Sequence, residues 1–128
     1  MDARAAELLL SLAEEASPRL RGPDAKAALE QLENEHDDLL AALQWFIDNG
    51  RTDEALRLVN ALSRFWITQQ RFDEGALWFD RVLESSDGET RLRGAAEVSA
   101  GFMPFWLGQD DRAAAHFGRG LEIGRKTR

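Results

Sequence analysis

The sequence predicts an all-α fold of antiparallel helical hairpins, on three observations. Apolar residues recur at spacings of three and four along almost the whole chain, the spacing that collects one face of a helix. No stretch alternates apolar and polar residues as a half-buried strand would. The apolar stripes are separated by short turn signals, and the chain has only three prolines.

Taken in order, the stripes give about six helices. The first, about 3–16, carries Leu8, Leu9, Leu12 and Ala16. Ser17-Pro18 is expected to stop it, and Pro18 to Pro23 reads as a connector, because proline fixes φ and donates no hydrogen bond. The second, about 24–48, carries Leu29, Leu32, His36, Leu39, Leu40, Leu43, Phe46 and Ile47, and Asn49-Gly50 ends it. The third, about 52–69, has the cleanest stripe: Ala55, Leu58, Val59, Leu62, Phe65 and Trp66. Thr52 can cap it, and Asp53 and Glu54 suit the positive end of its dipole. The fourth, about 72–85, presents Phe72, Gly75, Ala76, Phe79, Val82 and Leu83. Ser86 and Glu89 have capping-box spacing and open the fifth, about 88–107. Its expected inward side is Leu92, Ala95, Ala96, Ser99, Phe102, Met103 and Trp106, and Pro104 should kink it. The sixth, about 110–125, carries Ala113, Ala114, Phe117, Gly120 and Leu121, with a basic end in Arg125, Lys126 and Arg128.

Composition narrows the classes of function. At 128 residues and 44% hydrophobic, the chain is long and apolar enough for one packed domain. It has no cysteine, so disulfides and thiolate metal sites are excluded, and a reducing cytoplasm fits. No apolar run reaches a membrane span, and Leu8-Leu9-Leu10 after Asp2 is not a signal peptide. The formal net charge is −7. An acidic surface repels phosphate, so no nucleic-acid partner is expected through this region, and no membrane.

Three turns share one pattern: Gly50 to Leu56, Gln70 to Ala76 and Gly108 to Ala114. Each is a tight turn, then acidic residues, then a small residue one turn into the next helix, where a small side chain lets a neighbouring backbone approach. An aromatic or branched residue comes four positions on: Val59, Phe79 and Phe117. Ser63, Gly75, Phe79 and Leu83 recur as Gly101, Ala113, Phe117 and Leu121, an offset of 38 residues. In this the chain resembles a tetratricopeptide repeat, most closely through Gly101, Gly108, Ala113, Phe117 and Gly120. It departs at Gln70, where a turn glycine is usual, at Val82, and in a period about four longer than the usual 34. The resemblance implies hairpins stacked as a right-handed superhelix over residues 1–128: a lead-in hairpin 1–50, one repeat at 52–85 and another at 88–125.

A further set of segments is similar to the helical region of large bacterial signalling ATPases, LuxR-type or related to the streptomycete antibiotic regulators. These segments are Leu12 to Ala16, Pro18 to Asp24, Leu32 to Leu39, Ala42 to Trp45 and Leu62 to Trp66, within about 8–84. In that family a nucleotide-binding domain and a winged helix accompany such an array. The chain itself contains no Gly-x-x-x-x-Gly-Lys-Ser/Thr sequence.

Glu35-His36-Asp37-Asp38 is the string that most invites a catalytic role. Neighbours on a helix point about 100° apart, which turns His36 into the leucine stripe and Asp37 and Asp38 away from it. A half-buried histidine bonded to a carboxylate or carbonyl is the plainer expectation. A metal or acid–base site would need Glu33 or His116 brought in, and two histidines without cysteine argue against a transition metal. There is no Gly-x-Ser-x-Gly elbow and no thiol. Gly118, Gly120 and Gly124 come after no strand and are close-packing or fraying positions, not a phosphate loop. No catalytic residue, cofactor or metal is therefore expected, and the chain is not expected to be an enzyme.

Trp45, Trp78 and Phe105 fall beside the main stripes, and Trp66 and Trp106 occupy matching places. Carrying the groove positions of tetratricopeptide repeats across by the resemblance gives Arg57, Asn60, Arg64, Phe102, Phe105 and Trp106 as partner-binding residues. The expected function is a non-catalytic interaction and sensing module of a bacterial signal-transduction or transcription regulator. It would hold a protein or peptide partner or another domain of a longer regulator. The alternative is self-association as a homodimer, or packing without a ligand; Leu121 and Ile123 are expected to form an apolar side that either a continuation of the natural chain or self-association would cover.

Overall fold

A computed structural model describes residues 1–127, and all its regular structure is helical. Arg128, one of the basic residues at the end of the last stripe, lies outside the described residues. Seven helices are present among them: α1 (Ala3–Arg19), α2 (Ala25–Asn34), α3 (His36–Asp48), α4 (Thr52–Thr68), α5 (Phe72–Ser85), α6 (Arg91–Trp106) and α7 (Asp110–Lys126). Packing divides the chain into two compact units, Met1–Phe65 and Trp66–Arg128, with the division falling inside α4.

The count of six helices is corrected at Glu35. Its backbone leaves helical dihedrals (φ −100°, ψ 8°) and splits the second stripe into α2 and α3. Hydrogen bonds still run into it and out of it, Glu35 N–H to Gln31 O and Leu39 N–H to Glu35 O. Glu35 thus keeps both of its own backbone bonds across the break, and both α2 and α3 pack on α1. Asp37 and Asp38 then stand in the first turn of α3, where acids complement the dipole.

Ser17-Pro18 does not stop α1, which continues to Arg19. Pro18 sits in the last turn, and the chain closes through Leu20 N–H to Ser17 O and Arg21 N–H to Pro18 O. Arg19 then holds the connector, donating to Asp24 and Glu15 and to Gln31 on α2. Those hydrogen bonds, Asp24 first and Glu15 second, raise its guanidinium pKa above the usual arginine value. Arg51 and Arg57 reach back from the start of α4 to Glu7 and Glu14 on α1. The first unit closes on Leu32, Leu39, Leu43, Phe46, Leu58 and Phe65, all fully or almost fully buried.

The three similar turns share one hydrogen-bond geometry. Arg51, Arg71 and Gln109 donate to the carbonyls five residues back, Phe46, Trp66 and Pro104. The residue before each donor is left-handed: Gly50 (φ 69°), Gln70 (φ 56°) and Gly108 (φ 76°). This is the Schellman helix ending, and glycine is its usual occupant because a Cβ is strained there. Gln70 is thus a glutamine in a glycine's place.

α6 starts at Arg91, later than the expected 88, with Thr90 as its cap accepting from Arg93 N–H. Ser86 closes α5 instead, donating to Leu83 O and accepting from Arg93 Nη1. Pro104 lies in the last turn of α6, where Leu107 and Gln109 N–H both reach its carbonyl.

The inward side of α6 is also corrected. It buries Gly94, Ala96, Glu97, Ala100, Gly101 and Met103, whereas Phe102 and Trp106 lie outward. Small residues face α7 because the two helices cross closely. A Cβ on Gly120 would stand 2.6 Å from Val98 Cγ2 and 3.1 Å from Gly94 O. On the other side of α6, Met103 seats on Gly75 of α5, its Sδ 2.8 Å from where a Cβ would be. Trp78, expected beside the stripe, is buried, with Arg81 over its ring at 4.8 Å. Ile123, expected uncovered, is buried against Gly94.

Two substitutions probe these constraints. Gln70→Gly should raise unfolding free energy by about 0.5–1 kcal/mol, by relieving left-handed strain at a modest entropic cost. Gly120→Val should lower it by about 1–3 kcal/mol through overpacking against backbone. Urea titration followed by circular dichroism measures both, and a stable Gly120→Val protein would refute the close-crossing account.

Candidate functional site

With its small residues turned inward, α6 presents its large ones to solvent. Val98, Phe102 and Phe105 succeed one another at intervals of four and three along one side, and Trp106 adjoins them; all four are exposed, Phe105 to 50% and Trp106 to 57%. The rings are ordered against one another. Phe105 meets Trp106 edge-on at 5.4 Å, Trp106 stacks on Phe72 at 6.1 Å, and Phe102 meets Phe117 of α7 edge-on at 5.3 Å. Phe117 carries the apolar surface onto α7, where Leu121 is 61% exposed. A shallow groove of about 380 Å³ continues it between the helices, lined by Gly94, Ala95, Val98, Gly120 and Gly124 among others. Contiguous exposed aromatics of this kind are what interaction surfaces use.

Of the six residues carried over by resemblance, the structure brings Phe102, Phe105 and Trp106 onto this one surface of the second unit. Arg57, Asn60 and Arg64 share a side of α4 in the first unit. Arg57 is exposed and engaged by both oxygens of Glu14, which raise its pKa by hydrogen bonding. Asn60 and Arg64 are half-buried, and Asn60 Oδ1 is buried without a hydrogen-bond partner among the described residues. Val98 is the contributor that sequence reasoning missed. Its spacing to Phe102 and Phe105 was visible, but an apolar residue on a helix apolar on several sides cannot be assigned a direction from periodicity.

His36 is half-buried, with its ring 5.9 Å from that of Phe65 and Nδ1 3.4 Å from Asp37 Oδ1. The structure places His116 elsewhere, in the second unit, within a buried ionic cluster that sequence reasoning also missed. Glu97 of α6 is only 1% exposed, and its Oε2 lies 2.8 Å from His116 Nδ1 and 3.3 Å from Arg119 Nε. Arg119 Nη2 lies 3.0 Å from the same Nδ1, so the ring nitrogen sits between the carboxylate and the guanidinium. Arg93 approaches the other oxygen at 3.6 Å, and His116 Nε2 faces Asp80 of α5 at 3.7 Å. The signals were the Arg93–Glu97 and His116–Arg119 spacings, ordinary on any helix surface.

The cluster ties α5, α6 and α7 together. A cleft of about 380 Å³ opens on it, lined by Asp80, Leu83, Glu84, Arg93, Glu97, His116 and Arg119, a set without hydroxyl, thiol or amine nucleophile. Among the described residues no group of three or more His, Cys, Asp or Glu is placed to hold a metal ion, and no helix is long and apolar enough to cross a membrane.

Over 89 residues, 66% of its length, the chain is 30% identical to HTH-type transcriptional regulators of Mycobacterium bovis and of two strains of Mycobacterium tuberculosis. The chain is a helical protein with sequence similarity to part of these regulators. The chain spans only 10% of the length of these relatives. No protein-family model and no solved structure matches it. The relatives overturn the expectation that nucleic acid is not a partner. They are named for the helix-turn-helix, a motif that reads DNA with a helix in the major groove. The net charge of −7 describes the field of this segment alone and could not exclude DNA as a partner of a longer regulator.

Removing one partner of a buried ionic cluster strands the others. Glu97→Ala should therefore cost about 3 kcal/mol, the low end of the usual range because Arg119 is half exposed. Guanidinium titration would read this directly, and a loss under about 1 kcal/mol would reduce the cluster to a surface pair.

Proposed function

We propose that the chain is a non-catalytic protein-interaction and sensing module of a bacterial transcription regulator. The observation that carries this reading is the ordered, solvent-facing aromatic surface of α6, Phe102, Phe105 and Trp106, on a chain similar to HTH-type transcriptional regulators. Trp and neighbouring aromatics supply large contact area at little entropic cost, which is why they dominate interface energetics. The module works by docking and by relaying its occupancy to the rest of the regulator, with no bond made or broken. The repeated Schellman turns and the small-residue contacts at Gly75, Gly101 and Gly120 support a tetratricopeptide-like reading of its hairpins.

The test is a triple substitution, Phe102→Ser, Phe105→Ser and Trp106→Ser, made in the gene of the source organism. Protein abundance is measured in the same cells by immunoblot, because Trp106 also stacks on Phe72 and Phe102 meets Phe117. Transcripts under the regulator's control should shift, as read by RNA sequencing. An unchanged transcript profile at unchanged abundance would sink the proposal.

A further inference from the structure

Most glycines inside the helices of the second unit are accounted for by packing. A Cβ on Gly75, Gly94, Gly101 or Gly120 would come within 3.0 Å of Met103, Ile123, Phe117 or Val98 respectively. Gly118 differs. It is exposed, and a Cβ there would meet no atom within 4 Å. A glycine inside a helix weakens it relative to alanine, because glycine gives up more backbone freedom. Gly118 lies about halfway along α7, well away from either end, and no contact among the described residues offsets that weakness. Around it is the flank of α7 that points away from the core. At 100° per residue, Asp110, Ala114, Phe117, Gly118, Leu121 and Arg125 fall within about 100° of one another. All are exposed except Phe117, which is half-buried, and Phe102 of α6 continues the apolar surface beside it. Asp110 and Arg125 make no ion pair among the described residues.

We propose that this flank is a homodimer interface, in which α7 packs antiparallel on α7 of a second copy about a two-fold axis between Phe117 and Gly118. The inference rests on the interaction reading above and names the partner. The order of residues along the flank is what selects a second copy. Asp110 and Arg125 are equally far from that axis, and so are Ala114 and Leu121. Across it, each Leu121 stands over the partner's Ala114, each Phe117 lies beside the partner's Gly118, and each Arg125 faces the partner's Asp110. Large therefore meets small, and cation meets anion, at every step. Gly118 gives the two backbones room to approach at the centre of the crossing. A two-fold contact requires a patch that complements itself. A surface shaped for an unrelated protein has no need to be symmetric in both size and charge.

Sedimentation velocity over a concentration series tests this on the 128-residue chain at low ionic strength. The wild-type chain should dimerise, and a chain that stays monomeric throughout the series overturns the proposal. Gly118→Leu blocks the centre of the crossing and should weaken the dimer at least about tenfold. The same change should raise the melting midpoint of the diluted monomer by about 3 °C, since leucine is the better helix former and the site is open within its own chain. Asp110→Arg and Arg125→Asp each set like charges opposite one another, and each should weaken its own dimer about tenfold. Mixed together, the two variants restore both opposite-charge pairs, so a heterodimer should return at near wild-type affinity. Circular dichroism of each variant separates lost association from lost helix. A dimer indifferent to Gly118→Leu, or charge variants that do not recover on mixing, places the contact elsewhere and overturns the proposal. The serine substitutions at Phe102, Phe105 and Trp106 judge the interaction reading separately, because a monomeric chain can still dock another protein.

Discussion

The second unit depends on how closely α6 and α7 cross. Gly94 and Gly120 place backbone against backbone, with room for no side chain, and Gly101 accepts the ring of Phe117 where a Cβ would come within 2.6 Å. A helix that buries glycine and alanine must point its larger residues somewhere else. Met103 goes to the other neighbour, α5. Phe102, Phe105 and Trp106 go to solvent. The aromatic surface is therefore a consequence of the close crossing and needs no separate device to hold it open.

The same crossing explains why a glutamate can sit at the centre of the unit. With small residues around it, Glu97 reaches His116 and Arg119 on α7 and Arg93 on its own helix. Removing a charge from water costs several kcal/mol, which the partners must offset by hydrogen bonds of good geometry. Such a cluster is weak evidence for stability. Its stronger effect is on register: α7 cannot slide by a turn along α6 without taking His116 and Arg119 away from the carboxylate, and His116 carries the constraint on to Asp80 of α5.

Much of the fold was legible as pattern. The three turns announced themselves through Gly50 and Gly108, and through the acidic residues behind them. Gln70 was recognisable as a departure, and its left-handed φ shows that the turn geometry persisted without the glycine. The break at Glu35 was not legible, because no proline or glycine marks it and the apolar stripe runs on through Leu39. Asp37 and Asp38 were a start signal hidden inside what looked like one helix. Proline misled in the other direction at Pro18, which sits in the last turn of α1, where only Arg19 follows the bond that proline removes.

The sequence by itself determined that the chain is helical, where most helices begin and end, and which residue types are available to a binding surface. Those features arise from local preferences and from periodicity, which act within a few residues. Which side of α6 faces inward was decided only in the tertiary structure. That helix carries small residues on one flank and aromatics on another, both apolar, and hydrophobicity cannot choose between them. The choice belongs to α7, whose glycines accept a flat neighbour and not a ring, and so to a contact made between residues far apart in the chain. The burial of Glu97 and the exposure of Leu121 beside its buried counterpart Leu83 are settled by the same kind of distant neighbour, present in one place and absent in the other among the described residues.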